Sequence, residues 1–313
     1  MALDPQAQWV LDKAEEAGLP KLEDLSAEDA KAAYEVRAKT LALKNVSIAG
    51  SLDLEIPGRD GSIPVRIYQP ITHPEGLPVL IYYHGGGWVI GSPDSHDALC
   101  RQISNLGKMI VVSVDYRMGP AHKFPAAVHD AIDAFDWTLG NIAGYGGDPD
   151  RVAVGGDSAG GNLSAVVALT KAQEEGPAPL FQWLIYPATN MIMDTPSHQD
   201  FNEGYFLTGD LMNWFQNHYL GQPSDREDWR ASPLLAPSLE GVAPALIQTA
   251  GFDPLRDEGA AYASRLKDAG IAVHYTDYEG MIHGFINLGG VVDAAHTAID
   301  EGIAALNRVF NPS

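Results

Sequence analysis

Cysteine is almost absent: Cys100 is the only one in 313 residues. One thiol cannot form an intramolecular disulfide, which fits a reducing compartment such as the cytoplasm. Cys100 also falls in a helical-looking stretch, Ala98 to Leu106, where a buried structural thiol is expected rather than a nucleophile. Positive charge is scarce too. Against 41 Asp and Glu stand 20 Lys and Arg, a formal net charge of −21. Such a surface repels phosphate backbones and anionic lipid, so nucleic-acid and membrane-surface partners are excluded. Long apolar runs are missing, so no segment of roughly 18 residues could span a bilayer. Residues 1–18 have neither a basic start nor an apolar stretch, and no signal peptide is expected. No internal repeat is evident, and no histidine pair has zinc-protease spacing.

What remains is an ordinary apolar fraction, 45%, enough for one large α/β domain with a small accessory piece. Two amphipathic helices are predicted in residues 1–45. The first carries Trp9, Val10, Lys13, Ala14 and Ala17 at helical spacing, and the second starts at Ser26 and runs to Leu43. From Val46 the period changes to alternation, giving a hairpin from Val46–Ile56 and Ile63–Tyr68 around Gly58-Arg59-Asp60-Gly61. Continuous apolar runs then predict strands at Val79–Tyr83, Met109–Val114, Val152–Val154, Trp183–Ile185 and Ala245–Ala250, with a last strand at His274–Tyr278. Helical patterns separate them, at His96–Leu106, Ala126–Asn141, Asn162–Glu175, Gly259–Ala269 and Val291–Val309. Strand alternating with helix gives an α/β fold with a mostly parallel sheet flanked by helices. The alternation breaks at 191–232, where Tyr205-Phe206-Leu207, Leu211-Met212 and Trp214-Phe215 form an insertion near the strand C-terminal ends. The organisation expected is a cap segment 1–45, a core 46–190, a cap insertion 191–232 and the rest of the core, 233–313. The alternative is surface helices completing the main domain.

The chemistry centres on Gly156-Asp157-Ser158-Ala159-Gly160-Gly161, between a strand and a helix. In a Gly-x-Ser-x-Gly turn the serine sits on a sharp bend with its hydroxyl exposed, and the following helix turns free N–H groups toward it. Ser158 is therefore the candidate nucleophile. Upstream, His84-Gly85-Gly86-Gly87-Trp88 follows a strand. Three glycines in a row suit backbone N–H groups that must approach an oxyanion, and the spacing is wrong for a phosphate loop. His84 is expected to brace this loop. Among ten histidines, His283 lies just past the last strand and is the candidate base, whereas His274 reads as structural and His122 and His129 as surface or packing residues. Asp253 follows the strand Ala245–Gly251 and is the candidate orienting acid, with Asp257 and Glu258 as alternatives. A helix N-cap ahead of Pro254 is the bland reading of Asp253. Asp157 is read as a structural hydrogen-bonding group.

Together with Asp115-Tyr116-Arg117, Phe124-Pro125-Ala126-Ala127, Asp253-Pro254-Leu255-Arg256-Asp257-Glu258 and His283-Gly284-Phe285, these motifs resemble the bacterial hormone-sensitive-lipase-like esterases of the α/β-hydrolase fold. The resemblance runs from about Val46 to the end. It implies a carboxylesterase of the Ser158, Asp253, His283 order, without a cofactor or metal, acting on small short-chain esters, with dimers common among relatives. It also implies backbone oxyanion donors at Ala159, Gly86 and Gly87, and a helical cap. Trp88, Phe206 and Leu207 are candidate pocket walls, with plain packing as the alternative. The chain departs from the family in having Pro120-Ala121-His122 where Pro-Glu-His is usual. Two other readings stay open: an amidase or arylformamidase on the same triad, and a non-catalytic binding protein like the plant gibberellin receptors, in which the catalytic histidine is replaced.

Overall fold

The computed structural model describes residues 2–72 and 75–311; the outermost ends of the first and last predicted segments lie outside it. Its centre is one eight-stranded sheet in the order β1-β2-β4-β3-β5-β6-β7-β8. The predicted hairpin is β1 (Gly50–Gly58) and β2 (Gly61–Gln69), paired antiparallel from Gly50↔Gln69 to Gly58↔Gly61. β2 joins β4 (Ile110–Val114) antiparallel. From β4 onward every pairing is parallel, through β3 (Leu77–Tyr83), β5 (Gly147–Asp157), β6 (Gln182–Ile185), β7 (Ala245–Phe252) and β8 (Val273–Ile282).

Alternation along the strands feeds two cores, one on each face of the sheet. Leu80, Tyr82, Val111, Trp183, Ile185 and Leu246 pack on one face under α3 (Asp97–Gly107) and α9 (Asp293–Phe310). On the other face Val79, Ile81, Tyr83, Val112 and Val154 meet α4 (Ala126–Asn141) and α5 (Ala159–Gln173). Leu184 and Ile247 extend that face under α8 (Arg256–Asp268). Burial on both faces explains why these strands read as continuous apolar runs.

The two N-terminal helices part company. α1 (Pro5–Glu16) buries Ala7 and Val10 against the core that holds Trp183 and Phe285, and the Asp4 N–H donates to the Gly280 carbonyl at the end of β8. α2 (Ala27–Leu41), whose N-cap Ser26 accepts the Asp29 N–H at 3.1 Å, buries Ala30 in a separate apolar cluster. That cluster contains Val89 and Ile90 after the glycine loop, Leu207, and Leu211, Met212 and Phe215 of α7 (Gly209–Tyr219). The short helix α6 (Pro196–Asp200) precedes α7 in the stretch between β6 and β7. Among the described residues, no helix is long and apolar enough to cross a membrane.

Because β3, β5, β6, β7 and β8 run parallel, their C-terminal ends share one edge of the sheet. His84, Ser158, Asp253 and His283 each follow the last residue of one of these strands.

Candidate active site

Ser158 occupies a bend with φ +56° and ψ −117°, outside the regions a non-glycine residue ordinarily adopts. Local packing demands the glycines on either side. A Cβ on Gly156 would lie 2.2 Å from the Tyr83 carbonyl oxygen, and one on Gly160 only 1.8 Å from that same atom. Helix α5 therefore starts at Ala159, directly behind Ser158, and its first-turn N–H groups have no intrahelical acceptor. The loop between β5 and α5 is closed by Ser158 N–H donating to Ile185 O at 2.8 Å and Asn162 N–H to Ser158 O at 3.0 Å.

Three side chains from separate strand ends meet here. Ser158 Oγ lies 2.9 Å from His283 Nε2, and His283 Nδ1 lies 2.6 Å from Asp253 Oδ2. Asp253 is fully buried, and its second oxygen accepts the Leu255 N–H at 2.8 Å. A hydroxyl bonded to an imidazole that is itself held by a buried carboxylate is the arrangement that can activate a serine. Tyr186 packs against the imidazole, with ring centroids 4.6 Å apart. Of the alternative acids, neither lies against His283. Asp257 accepts the Ser197 N–H and pairs with Arg256. Glu258 is buried; it accepts the Thr189 and Asn190 N–H groups, and its other oxygen lies 3.1 Å from His198 Nε2. Burial raises the Glu258 carboxyl, with His198 and these N–H groups working against it.

The glycine loop lies against both the elbow and α7. Gly86 and Gly87 have φ of +124° and +57°, and a Cβ on Gly87 would lie 2.2 Å from the Phe215 ring. Tyr116 Oη donates to the His84 carbonyl at 2.7 Å, and His84 Nδ1 contacts the Gly85 carbonyl at 2.8 Å. The His84 ring is wholly buried and stacks on Tyr116; burial pushes its pKa down to about 3, so it is neutral. Gly85 N–H is taken by Asp157 Oδ1 at 2.9 Å. No acceptor for the Gly86, Gly87 or Ala159 N–H groups is found among the described residues.

Asp157 shows the hydrogen bonding that its position suggests. Burial alone would raise its carboxyl, but His96, the Tyr82 hydroxyl and the Gly85 N–H hold it at about 2. His96, Tyr82 and Asn287 are not picked out by sequence reasoning. Nor is the pairing of His198 with Glu258: Glu258 stands in the sequence only as an alternative acid, and His198 belongs to no motif. His129 contacts Asp60, and His274 contacts Glu301 on an exposed edge. Trp88 is buried and stacks on Tyr219 at 4.5 Å. Leu207 is buried in the α2–α7 cluster, while Phe206 is 42% exposed. Cys100 is buried, and burial pushes its thiol up.

A mostly parallel sheet with a Ser-His-Asp constellation at the strand C-terminal ends defines an α/β hydrolase. A family model described as alpha/beta hydrolase fold matches residues 80–287. The chain is 49% identical over 260 residues to the carboxylic ester hydrolase LipN of Mycobacterium tuberculosis, covering 81% of this chain and 69% of that protein. It is 39% identical to an ethyl acetate hydrolase of Pseudomonas putida, covering 89% and 88% of the two chains. Among solved structures, a hyperthermophilic esterase from the archaeon Pyrobaculum calidifontis superposes with a TM-score of 0.93 at 41% identity, covering 98% of both chains. The chain belongs to the hormone-sensitive-lipase-like carboxylesterases of the α/β-hydrolase fold, and it hydrolyses carboxylic esters.

Proposed function

We propose that this carboxylesterase works through a covalent acyl-enzyme on Ser158 and prefers short acyl chains. The observation that carries the reading is the unbroken Ser158–His283–Asp253 chain of 2.9 and 2.6 Å contacts. Ser158 Oγ attacks the ester carbonyl carbon while His283 Nε2 takes its proton. Asp253 keeps the remaining proton on Nδ1 and stabilises the imidazolium. The carbonyl oxygen becomes an oxyanion, held by the free N–H groups of Gly86, Gly87 and Ala159. As the intermediate collapses, His283 returns the proton to the departing alcohol. Water then attacks the acyl-enzyme by the same route, with His283 as base, and releases the acid.

Residues 1–45 and 191–232 form a cap in this reading, with α1 as its anchor on the sheet. The apolar cluster shared by α2, the stretch after the glycine loop and α7 supports it. Phe215 against Gly87 crowds the space beside the oxyanion loop, which favours a small acyl group. The name of the Pseudomonas putida relative, an ethyl acetate hydrolase, points the same way. Leu207 then faces the cap interior, Phe206 its rim, and Trp88 supports the glycine loop from the core. The reading extends to a cytoplasmic enzyme, supported by the single buried thiol, and to a homodimer, which light scattering on the purified protein tests.

The test is hydrolysis of p-nitrophenyl esters from acetyl to palmitoyl, with the matched anilide and with Ser158→Ala alongside. Turnover that peaks at short chains and is lost in the variant is expected. Turnover surviving in Ser158→Ala would discard Ser158 as nucleophile. Faster cleavage of the anilide than of the ester would move the enzyme to the amidases.

A further inference from the structure

The proposed proton transfers make no use of Asp157, although its carboxylate is 3% exposed and covalently adjacent to Ser158. Four groups converge on it. Oδ1 accepts the Tyr82 hydroxyl at 2.8 Å and the Gly85 N–H at 2.9 Å. Oδ2 accepts the Asn287 side-chain amide at 3.2 Å. His96 Nε2 lies 3.2 Å from Oδ1 and 3.3 Å from Oδ2, and the Asn287 amide nitrogen is 3.3 Å from that same ring atom. Gly85 opens the glycine loop. Asn287 stands four residues after His283, in the 3-10 turn Phe285–Leu288.

We propose that Asp157 is a positioning residue that registers the oxyanion loop and the His283 loop against the nucleophile through one buried carboxylate. The inference rests on the roles given above to Ser158, His283 and the glycine N–H groups. Tyr116 and His84 restrain the loop through its carbonyls, at His84 O and Gly85 O. Among the described residues, Asp157 alone restrains it from the N–H side, at Gly85. Rotation of that peptide would carry the next N–H groups, those of Gly86 and Gly87, away from the oxyanion. The approach is close: a Cβ on Gly85 would lie 2.4 Å from Asp157 Oδ2. Only an ionised carboxylate suits the hub, because it accepts on both oxygens. An amide would turn its own N–H groups against one of the donors already there.

Asp157→Asn and Asn287→Ala test this, singly and together, with Ser158→Ala as the reference. Each is assayed for kcat and KM on p-nitrophenyl acetate and for inhibition by a trifluoromethyl ketone analogue, whose hemiketal oxygen occupies the oxyanion position. For Asp157→Asn, kcat is expected to fall roughly 10- to 100-fold, the scale of a small misplacement of catalytic groups. KM should stay within about threefold, and the ketone inhibition constant should rise in step with the loss in kcat/KM. Asn287→Ala should lower kcat about 10-fold with an unchanged thermal midpoint, and the double variant should lose less than the product of the two. An unchanged kcat in Asp157→Asn, or a loss without weaker ketone binding, would overturn the proposal. So would fully multiplicative losses in the double variant. If Asp157→Asn does not fold, Asn287→Ala decides alone: lowered kcat at an unchanged midpoint supports the proposal, and unchanged kcat overturns it. Turnover surviving in Ser158→Ala would overturn the underlying mechanism and this inference with it. An inactive Ser158→Ala beside a fully active Asp157→Asn overturns this inference only.

Discussion

Asp253 Oδ2 lies 2.6 Å from His283 Nδ1, while Asp253 Oδ1 is pinned by the Leu255 N–H at 2.8 Å. The carboxylate therefore cannot swing without losing one of its two bonds. Asp253→Asn keeps the shape but turns either an N–H or a weaker acceptor toward the imidazole. In the first case the Nδ1 proton is lost and Nε2 carries it instead, so the ring cannot accept from Ser158. Turnover on p-nitrophenyl acetate is expected to fall by roughly three to four orders of magnitude, with the far-ultraviolet spectrum unchanged. Near-normal turnover would remove Asp253 from the mechanism.

The glycines divide into those that hold the fold and those that hold the site. For Gly160 the obstacle to a methyl group is a backbone atom, the Tyr83 oxygen at 1.8 Å, fixed in the central strand β3. Gly160→Ala is expected to lose more than about 4 kcal/mol, or to give no soluble protein. For Gly87 the obstacle is a side chain, the Phe215 ring on α7 with its Cγ at 2.2 Å, which must shift within its apolar cluster but is not fixed in the sheet. Its φ of +57° adds about 1–2 kcal/mol of strain for an alanine. Gly87→Ala should therefore fold, with a modestly lower thermal midpoint and a larger loss in kcat. Thermal melts and esterase assays of the two variants, side by side, check this. A Gly160→Ala as stable as the wild type would show that the elbow has room to spare.

The sequence made the sheet legible because β3 to β7 are buried on both faces and so stand out as apolar runs. It made Ser158 and Asp253 legible because each follows such a run, whereas His283 follows β8, a half-exposed strand with no apolar run, and stands out by its place after the last predicted strand. Element ends were harder to read. The pattern begins α5 at Asn162, after two poor helix formers, yet the helix starts at Ala159 because the strained Ser158 opens it. The last strand runs past Tyr278 to Ile282, beyond a register shift between Ala250 and Phe252 of β7 that alternation does not reveal. The two N-terminal helices look alike in sequence, and only packing separates α1, on the sheet, from α2, against α7. His96, Asn287 and His198 were hidden for a different reason. Each acts through a partner distant in the chain, 61, 130 and 60 residues away respectively, and no local spacing encodes such a pairing.

Acid stability should carry the signature of His84. Its imidazole is wholly buried between the glycine loop and Tyr116, with the Asp115 carboxylate 3.9 Å from Nε2. Burial holds its pKa at about 3, against roughly 6.5 in an unfolded chain. The folded-state pKa is the lower one, so between these values the unfolded state binds a proton that the native state does not. The stability this contributes is fully present above pH 6.5 and is lost as the pH falls toward 3, by up to about 1.4 kcal/mol per unit. Asp157, held at about 2, adds a loss of the same sign, but only below roughly pH 5, where unfolded carboxylates start to protonate. Between pH 6.5 and about 5 other histidines and the raised carboxyls of Glu258, Asp115 and Asp277 also titrate, so it is the difference between wild type and a His84 variant that isolates the histidine. Urea unfolding across that window should show the wild type losing stability with acid, and His84→Asn losing it more slowly by close to one proton's worth. His84→Asn starts from a lower value at pH 7, since it gives up the stack on Tyr116, so the slope rather than the level is decisive. Equal slopes would mean that His84 takes up its proton within the native state, and that the glycine loop tolerates a charge beneath it.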